Sequence, residues 1–271
     1  MGFRHSPKDA WLVGLALFQC MIWGLTLVFW DALDGWTLVP LSLLAAFLIC
    51  TNFQCVAHNF IHNPFFGDTA LNGAFSLVNT LCLGIPQSLY TAHHLNHHQY
   101  NNQTGDWSAL HRYSKKPGTQ EALWRYAIVG PIRADIGPAF KGARTLGLGS
   151  LVVAEAGLLA AVVVAAFAIH ATWVVEFFLP TLYLGHILAY AENYLEHDRA
   201  DPAKRMANSV SCYSSWYNRI WFNNGYHQEH HAYPRINWTR IPEARGRMLP
   251  ESQRRVVKHA HWFGHWQASK S

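Results

Sequence analysis

The sequence predicts an all-α integral membrane protein. We expect four transmembrane helices arranged as two hairpins, a re-entrant or interfacial segment, and a cytoplasmic helical cap that carries histidine boxes, all within one domain, 1–271. Charged residues make up only 14% of the 271 residues, and apolar residues make up 51%, whereas soluble domains carry about a quarter charged residues. Lysine and arginine are absent from Ala10 to Leu110 and from Thr145 to Asp198. Histidines gather in short clusters beside the apolar runs.

Four apolar segments are long enough to cross a bilayer, because a spanning helix needs roughly 20 mostly apolar residues. The predicted spans are 10–30, 36–56, 146–169 and 171–194. The linkers within the first and second pairs are very short, so each pair is expected to form a hairpin. A cleaved signal peptide is the alternative for the first run, but that run is too long for the apolar region of a signal peptide and lacks a cleavage site of small residues.

The distribution of positive charge predicts the orientation. With the N-terminus in the cytoplasm, two hairpins leave residues 1–9, 57–145 and 195–271 on the cytoplasmic side. All 21 lysines and arginines fall in those three parts. Cytoplasmic loops of membrane proteins carry such an excess of positive charge, so both termini are predicted to be cytoplasmic, and residues 57–145 and 195–271 are predicted to form the cap.

Two further segments are ambiguous in their relation to the membrane. Residues 70–90 are apolar enough to enter it, but Gly84, Pro86 and the positive charge that follows favour a re-entrant or interfacial segment. Residues 121–144 mix apolar and basic side chains, which predicts an interfacial helix. Glycine–proline pairs predict breaks in that helix near Gly130–Pro131 and again near Gly137–Pro138.

The five cysteines form no CxxC pair, which predicts buried free thiols and no iron–sulfur or rubredoxin-like electron carrier within the chain. They are Cys20, Cys50, Cys55, Cys82 and Cys212.

The histidine clusters have the spacing of ligands on one face of a helix. Positions i, i+3 and i+4 share a helix face, and two separate HxxHH patterns repeat that spacing. Burying several imidazoles together costs free energy unless something binds them, and imidazole is the commonest neutral metal ligand. The nine candidate ligands are His58, His62, His94, His97, His98, His197, His227, His230 and His231.

Other histidines are interpreted as ordinary polar residues or have no assigned role. The first group consists of His5, His111, His170, His259, His261 and His265, which stand outside the clusters. His93 and His186 lie near the clusters, but the spacing gives neither of them a role.

Nine ligands predict two metal ions, because one first-row ion takes about six ligands at most. Iron is favoured over structural zinc, since structural zinc sites usually include cysteine and none of the boxes contains one. A metal transporter is the alternative from a different class. Transporters place their ligands near the bilayer midplane, whereas these boxes flank the spans on one side. The span centres hold few ionisable groups, with Glu155 and Glu176 as exceptions.

The boxes HNFIH, HHLNHH and HQEHH, in that order, resemble those of the integral-membrane fatty acid desaturase and hydroxylase superfamily. The resemblance runs from about residue 36 to residue 245. NYLEH resembles a further ligand segment of that superfamily and of membrane alkane hydroxylases, which implies that His197 binds iron and that Asn193 contacts it directly or through water. The stretch from NNGYHQEHH to IPEAR also resembles carotenoid ketolases. Some members of that superfamily carry a fused carrier domain, and we expect none within these 271 residues.

The resemblance implies two iron ions, with O2 as co-substrate, acting on an unactivated C–H bond of a lipid or fatty acyl chain. Desaturation is the leading expectation, and a hydroxylase, ketolase or other oxidase is the alternative. Electrons are expected from an external ferredoxin, rubredoxin or cytochrome with its reductase, and no nucleic acid is expected to bind. The basic segments could attract an acidic carrier, although topology alone explains their sign. Glu192, Glu196 and Glu229 either orient ligand imidazoles or are simply solvated.

Overall fold

The computed structural model describes residues 2–116 and 118–266, and most of these residues are helical. The α-helices in this part of the chain are α1 (Asp9–Val28), α2 (Gly35–Thr51), α3 (His58–His62), α4 (Thr69–Leu83), α5 (Gln87–Tyr100), α6 (Leu123–Val129), α7 (Ile136–Thr145), α8 (Gly149–Ile169), α9 (Leu179–His197), α10 (Ser215–Ile220) and α11 (His227–Ala232). Short 3-10 helices cover Trp30–Ala32, Gly130–Arg133, Ile241–Arg247, Glu251–Gln253 and His261–Trp266.

Four helical stretches are long and apolar enough to cross a membrane, which confirms the four predicted spans. They are Asp9–Val28, Gly35–His62, Gly149–Ile169 and Trp173–His197. The second and fourth contain π-helical turns at Asn52–Ala57 and Trp173–Phe178 that join the flanking helices without a break. These two stretches therefore extend beyond the predicted ends at residues 56 and 194, and each finishes on a predicted ligand.

The described chain divides into two compact units. The first contains the residues up to His58, Pro64–His93 and Asp135–Ala189. Within it, α1 packs against α2 and α4, and α4 packs against α8. Large apolar side chains face outward from this unit, among them Trp36 at 90% and Val164 at 68% exposure, as expected of helices that face lipid. All five cysteines are free, as predicted, and all but Cys20 are buried.

The segment predicted to be re-entrant consists of two helices that meet at a turn. Gly84 ends α4 in the left-handed conformation, with φ of 66°, and Pro86 precedes α5. The carboxylate of Glu155, buried on α8, accepts hydrogen bonds from the Ser88 backbone N–H (2.8 Å) and hydroxyl (3.0 Å). Glu155 thus satisfies an N–H group in the first turn of α5, the helix that continues into the second histidine box.

The second unit contains Asn59–Asn63, His94–Ala134 and the residues from Tyr190 onward. It includes a parallel pair of two-residue strands, β1 (Ser211–Cys212) and β2 (Val256–Val257), in register Ser211 to Val256. This pair corrects the all-α expectation in a small way. The β-branched side chains of Val256 and Val257 suit a strand better than a helix.

One of the two predicted helix breaks in residues 121–144 is confirmed and the other is wrong. The chain leaves α6 for a 3-10 turn at Gly130–Arg133. The second break falls at Ala134–Asp135 instead of Gly137–Pro138, because α7 begins at Ile136. Pro138 is the third residue of α7, where a backbone N–H has no partner within the helix, so proline is tolerated there.

Candidate metal centre

Short helical stretches present the predicted histidines on common faces. His58 and His62 lie one turn apart on α3, and the two HxxHH patterns lie on α5 and α11. His197 is the last residue of α9. His58 is buried and is the last residue of the first segment of the first unit. The other eight candidate histidines all belong to the second unit.

The first histidine cluster of the second unit comprises His62, His94, His98 and His230. Each of them offers one ring nitrogen, and these nitrogens lie within 4.8 Å of one another. The Nε2 atoms of His62 and His94 are 2.9 Å apart, and those of His98 and His230 are 3.1 Å apart. Residues from α3, α5 and α11 therefore converge on one point.

The second histidine cluster comprises His97, His197, His227 and His231. The Nε2 atom of His197 lies 2.9 Å from that of His97 and 3.2 Å from that of His227. The Nε2 atoms of His227 and His231 are 3.1 Å apart. All four side chains are buried, so these nitrogens are shielded from bulk water.

The hydrogen bonds of the opposite ring nitrogens determine the protonation of two of these imidazoles. The Nδ1 atom of His97 lies 2.8 Å from a carboxylate oxygen of Asp106, and Nδ1 of His197 lies 3.2 Å from the backbone oxygen of Asn208. Carbonyl and carboxylate oxygens only accept, so both Nδ1 atoms must carry the proton and donate. In the neutral rings the facing Nε2 atoms then carry lone pairs.

His231 follows the same rule. Its Nδ1 lies 2.7 Å from the side-chain oxygen of Asn101, whose amide nitrogen donates to the backbone oxygen of His98. Burial, and then the nearby imidazoles, of which His98 has the largest effect, lower the pKa of His231 well below its ordinary value. The ring therefore stays in the neutral form that binds metals.

Facing lone pairs suit a cation between them. With each Nδ1 donating, the Nε2 atoms of neutral His97 and His197 rings would face each other with lone pairs, 2.9 Å apart. A bound metal ion removes this repulsion and satisfies all the nitrogens of a cluster at once. The donor set thus fits a metal, and the two separate clusters fit two ions.

Asp106 is a partner of a candidate ligand that the spacing of histidines does not reveal. Its carboxylate also accepts from the backbone N–H groups of Asn102 (2.6 Å) and Ser108 (2.7 Å). Burial opposes its ionisation, but the His97 ring and these N–H groups prevail and lower the pKa of Asp106. The sequence signal is the turn NNQTGD directly after α5, where Asn101 and Asn102 both have positive φ.

Asn193 lies one turn before His197 on α9, as predicted. Its amide nitrogen donates to the hydroxyl of Tyr126 at 2.7 Å, and that hydroxyl donates to the backbone oxygen of Ser108 at 2.8 Å. Burial raises the pKa of Tyr126 well above its ordinary value, so the hydroxyl remains a donor. These contacts leave the oxygen of Asn193 available to a ligand.

Among the three glutamates that the sequence places beside candidate ligands, Glu196 lies near a candidate ligand ring. Glu196 Oε1 is 3.5 Å from Nδ1 of His227. Glu229 contacts Ser211, Tyr213 and Arg254 instead. The contacts of Glu192 are with Tyr217 and His261.

The two histidines without an assigned role lie in the first unit. His186 has its Nε2 2.8 Å from the backbone oxygen of Leu83, and it belongs to neither cluster of candidate ligands among the described residues. His93 is half-buried on α5, directly before His94, and likewise belongs to neither.

Comparison with known proteins identifies the family. The fatty acid desaturase family model matches residues 34–263. The chain is 26% identical to the sphingolipid delta(4)-desaturase/C4-monooxygenase DES2 of Mus musculus, over 96% of this chain and 79% of that protein. It is also 26% identical to the sphingolipid delta(4)-desaturase DES1 of Drosophila melanogaster, over 96% of this chain and 80% of that protein. No solved structure gives a significant match.

The family match includes every predicted ligand, from His58 to His231. The relatives and the apolar helices together make the chain a membrane-associated oxidoreductase of lipid metabolism. By the extent of this match, the chain belongs to the fatty acid desaturase family.

Proposed function

We propose that the chain is an O2-dependent di-iron desaturase that removes hydrogen from an unactivated C–H bond of a membrane lipid. The observation that carries this proposal is the meeting of imidazole nitrogens in two clusters, of which one is partly buried and the other buried. Bound iron would supply the oxidising power, using O2, that no side chain of the protein has.

The proposed ligands are the nine histidines together with Asn193. They are His58, His62, His94, His97, His98, His197, His227, His230 and His231. Asp106 and the backbone oxygen of Asn208 hold the rings of His97 and His197 in one tautomer and one orientation. These partners preorganise the ligands, so little rotational freedom is lost when a metal binds.

A sphingolipid is the proposed substrate class. Both relatives are named for sphingolipid delta(4) desaturation, and each aligns over almost the whole of this chain. Such a substrate has a long alkyl chain that can stay within the bilayer while its polar head lies near the surface. Hydroxylation is the second candidate, because the name of the mouse relative includes C4-monooxygenase activity.

The remaining parts of the proposal concern the membrane and the electron source. We place both termini in the cytoplasm because lysine and arginine are concentrated in the predicted cytoplasmic segments. We treat residues 1–271 as one functional domain because α5 and α9 each contribute residues to both units. Electrons come from a separate ferredoxin, rubredoxin or cytochrome with its reductase, since the described residues include no cluster of cysteines.

Lipid analysis of cells that express the chain tests the reaction. Sphingoid bases and fatty acids are compared by mass spectrometry between cells with the wild-type chain and cells with His94→Ala. We expect sphingoid bases with two hydrogens fewer in the wild-type cells only. Products that carry an added oxygen and no new double bond would show that the reaction is hydroxylation and not desaturation. Identical lipids in the two kinds of cell, with active electron donors present, would contradict both reactions.

A further inference from the structure

A third group of buried ionisable side chains lies in the second unit, outside the nine proposed ligands. It consists of Glu192 and Glu196 on α9 and His261 at the start of the 3-10 helix His261–Trp266. One oxygen of each carboxylate and one nitrogen of the ring lie within 4.8 Å of one another. Glu192 is 2% exposed, Glu196 is 1% exposed and His261 is fully buried.

Neutral side chains hold both carboxylates in place. The hydroxyl of Tyr217 donates to Oε1 of Glu192 at 2.7 Å, and the amide of Asn224 donates to Oε1 of Glu196 at 2.6 Å. The Nδ1 atom of His261 lies 3.3 Å from Glu192 Oε1 and 3.8 Å from Glu196 Oε1. The carboxylate oxygens and the ring nitrogen therefore face a common point.

Within the part of the chain that the structure describes, the two carboxylates face one another and neighbouring imidazoles without a permanent cation beside them. Neither Glu192 nor Glu196 forms an ion pair with a lysine or arginine of residues 2–116 and 118–266. The second oxygen of Glu192, Oε2, is buried and has no hydrogen-bond partner among the described residues. A buried polar atom without a partner costs free energy, so this oxygen, beside a second carboxylate and an imidazole, indicates a ligand that the three side chains share.

We infer that Glu192, Glu196 and His261 bind one further divalent transition-metal cation, distinct from those of the histidine clusters. Carboxylate oxygen and imidazole nitrogen are both ligands of zinc, and carboxylates also suit manganese and imidazole also suits iron. The cation neutralises the carboxylates and links the 3-10 helix to the last turn of α9. It thereby stabilises the turn that ends in His197, whereas the lipid-oxidising centre lies at the histidine clusters.

Zinc binding by the purified full-length chain tests this inference. Total bound metal per chain is counted after equilibrium dialysis against Zn²⁺, in wild type and in His261→Ala and Glu192→Gln. We expect each variant to bind one ion fewer than wild type. His265→Ala is the matched control, because His265 lies on the same 3-10 helix outside the group, and it should bind as wild type does.

Equal metal content in wild type and both folded variants would overturn the inference. A proton shared between the two carboxylates would then explain how they lie together in the buried group. Folding is checked by size-exclusion chromatography in detergent. Anomalous scattering at the zinc edge from wild-type crystals provides a second measurement that needs no variant. A peak among Glu192, Glu196 and His261 supports the site, and peaks at the histidine clusters alone contradict it. Neither measurement depends on which lipid is oxidised.

Discussion

At the scale of single residues, the neighbours of the proposed ligand imidazoles determine where the proton lies on each ring. Replacing His94, His97 or His230 by alanine removes one proposed ligand from a cluster. We expect each variant to insert into the membrane and to lose lipid oxidation completely. His259→Ala, at an exposed ring, is the control and should retain activity in the same cell-based lipid assay.

Asp106 is expected to control metal affinity through His97. Asp106→Asn removes the negative charge, and the amide can present its NH2 group to Nδ1, which reverses the preferred tautomer of the ring. Loss of such a partner typically weakens metal binding by about 10–100-fold. Iron retention during titration with a chelator measures this loss. Asp201→Asn is the control, because Asp201 pairs with Lys204, and this variant should retain iron as wild type does. Unchanged iron retention in Asp106→Asn would show that Asp106 does not control metal affinity.

Residue spacing predicts the ligands because helical periodicity is a local property. The contacts of His97 with Asp106 and of His197 with Asn208 depend on turns whose conformation is not written in that periodicity. His261 shows the same limit: the sequence places it among ordinary polar residues, whereas the fold buries it against Glu192. Partners brought together by tertiary structure are therefore the part of the site that spacing cannot supply.

At the scale of elements, the turn between α4 and α5 is expected to be sensitive to a single methyl group. A Cβ at Gly84 would lie 2.5 Å from a Leu182 methyl carbon, in a backbone conformation with φ of 66°. Gly84→Ala should destabilise the protein by about 1–3 kcal/mol, measured as a lower melting temperature in detergent.

Gly73→Ala is the matched control within α4. A Cβ there has no neighbour within 4 Å, and alanine is favoured over glycine in a helix by about 0.5–1 kcal/mol. The melting temperature of this variant should stay the same or rise. Equal melting temperatures for Gly84→Ala and wild type would show that the turn relaxes without cost.

Helix positions follow from the sequence more closely than helix ends. Apolar length locates all four spans, but the π turns at Asn52–Ala57 and Trp173–Phe178 carry two of them further than predicted. Pro138 illustrates the same point, since a proline permits a helix to start as readily as it ends one. The end of a helix depends on which backbone N–H and C=O groups find hydrogen-bond partners, and composition does not determine those partners.

At the scale of the whole molecule, the distribution of lysine and arginine predicts that both termini are cytoplasmic. Fusions to reporters that are active on only one side of the membrane test this orientation. A fluorescent protein fused at the C-terminus should be fluorescent, and an alkaline phosphatase inserted after Gly35 should be active. An active phosphatase at the C-terminus would reverse the orientation and place the histidine boxes outside the cytoplasm.

Family membership follows from the order of the boxes, whereas the lipid does not. A substrate is selected by the shape of the path to the metal, and the side chains that form that path come from several spans without a common spacing. The resemblance therefore leads to the fatty acid desaturase family, and the sphingolipid proposal depends on whole-chain relatives.

Mössbauer spectroscopy of the purified, iron-enriched chain tests the central claim most directly. Two imidazole clusters that share the helices α5 and α11 predict two iron ions per chain, close enough to couple magnetically. The same spectrum from His230→Ala should lose the coupled pair. A wild-type spectrum with a single uncoupled iron, or purified active protein without iron, would contradict the two-iron account.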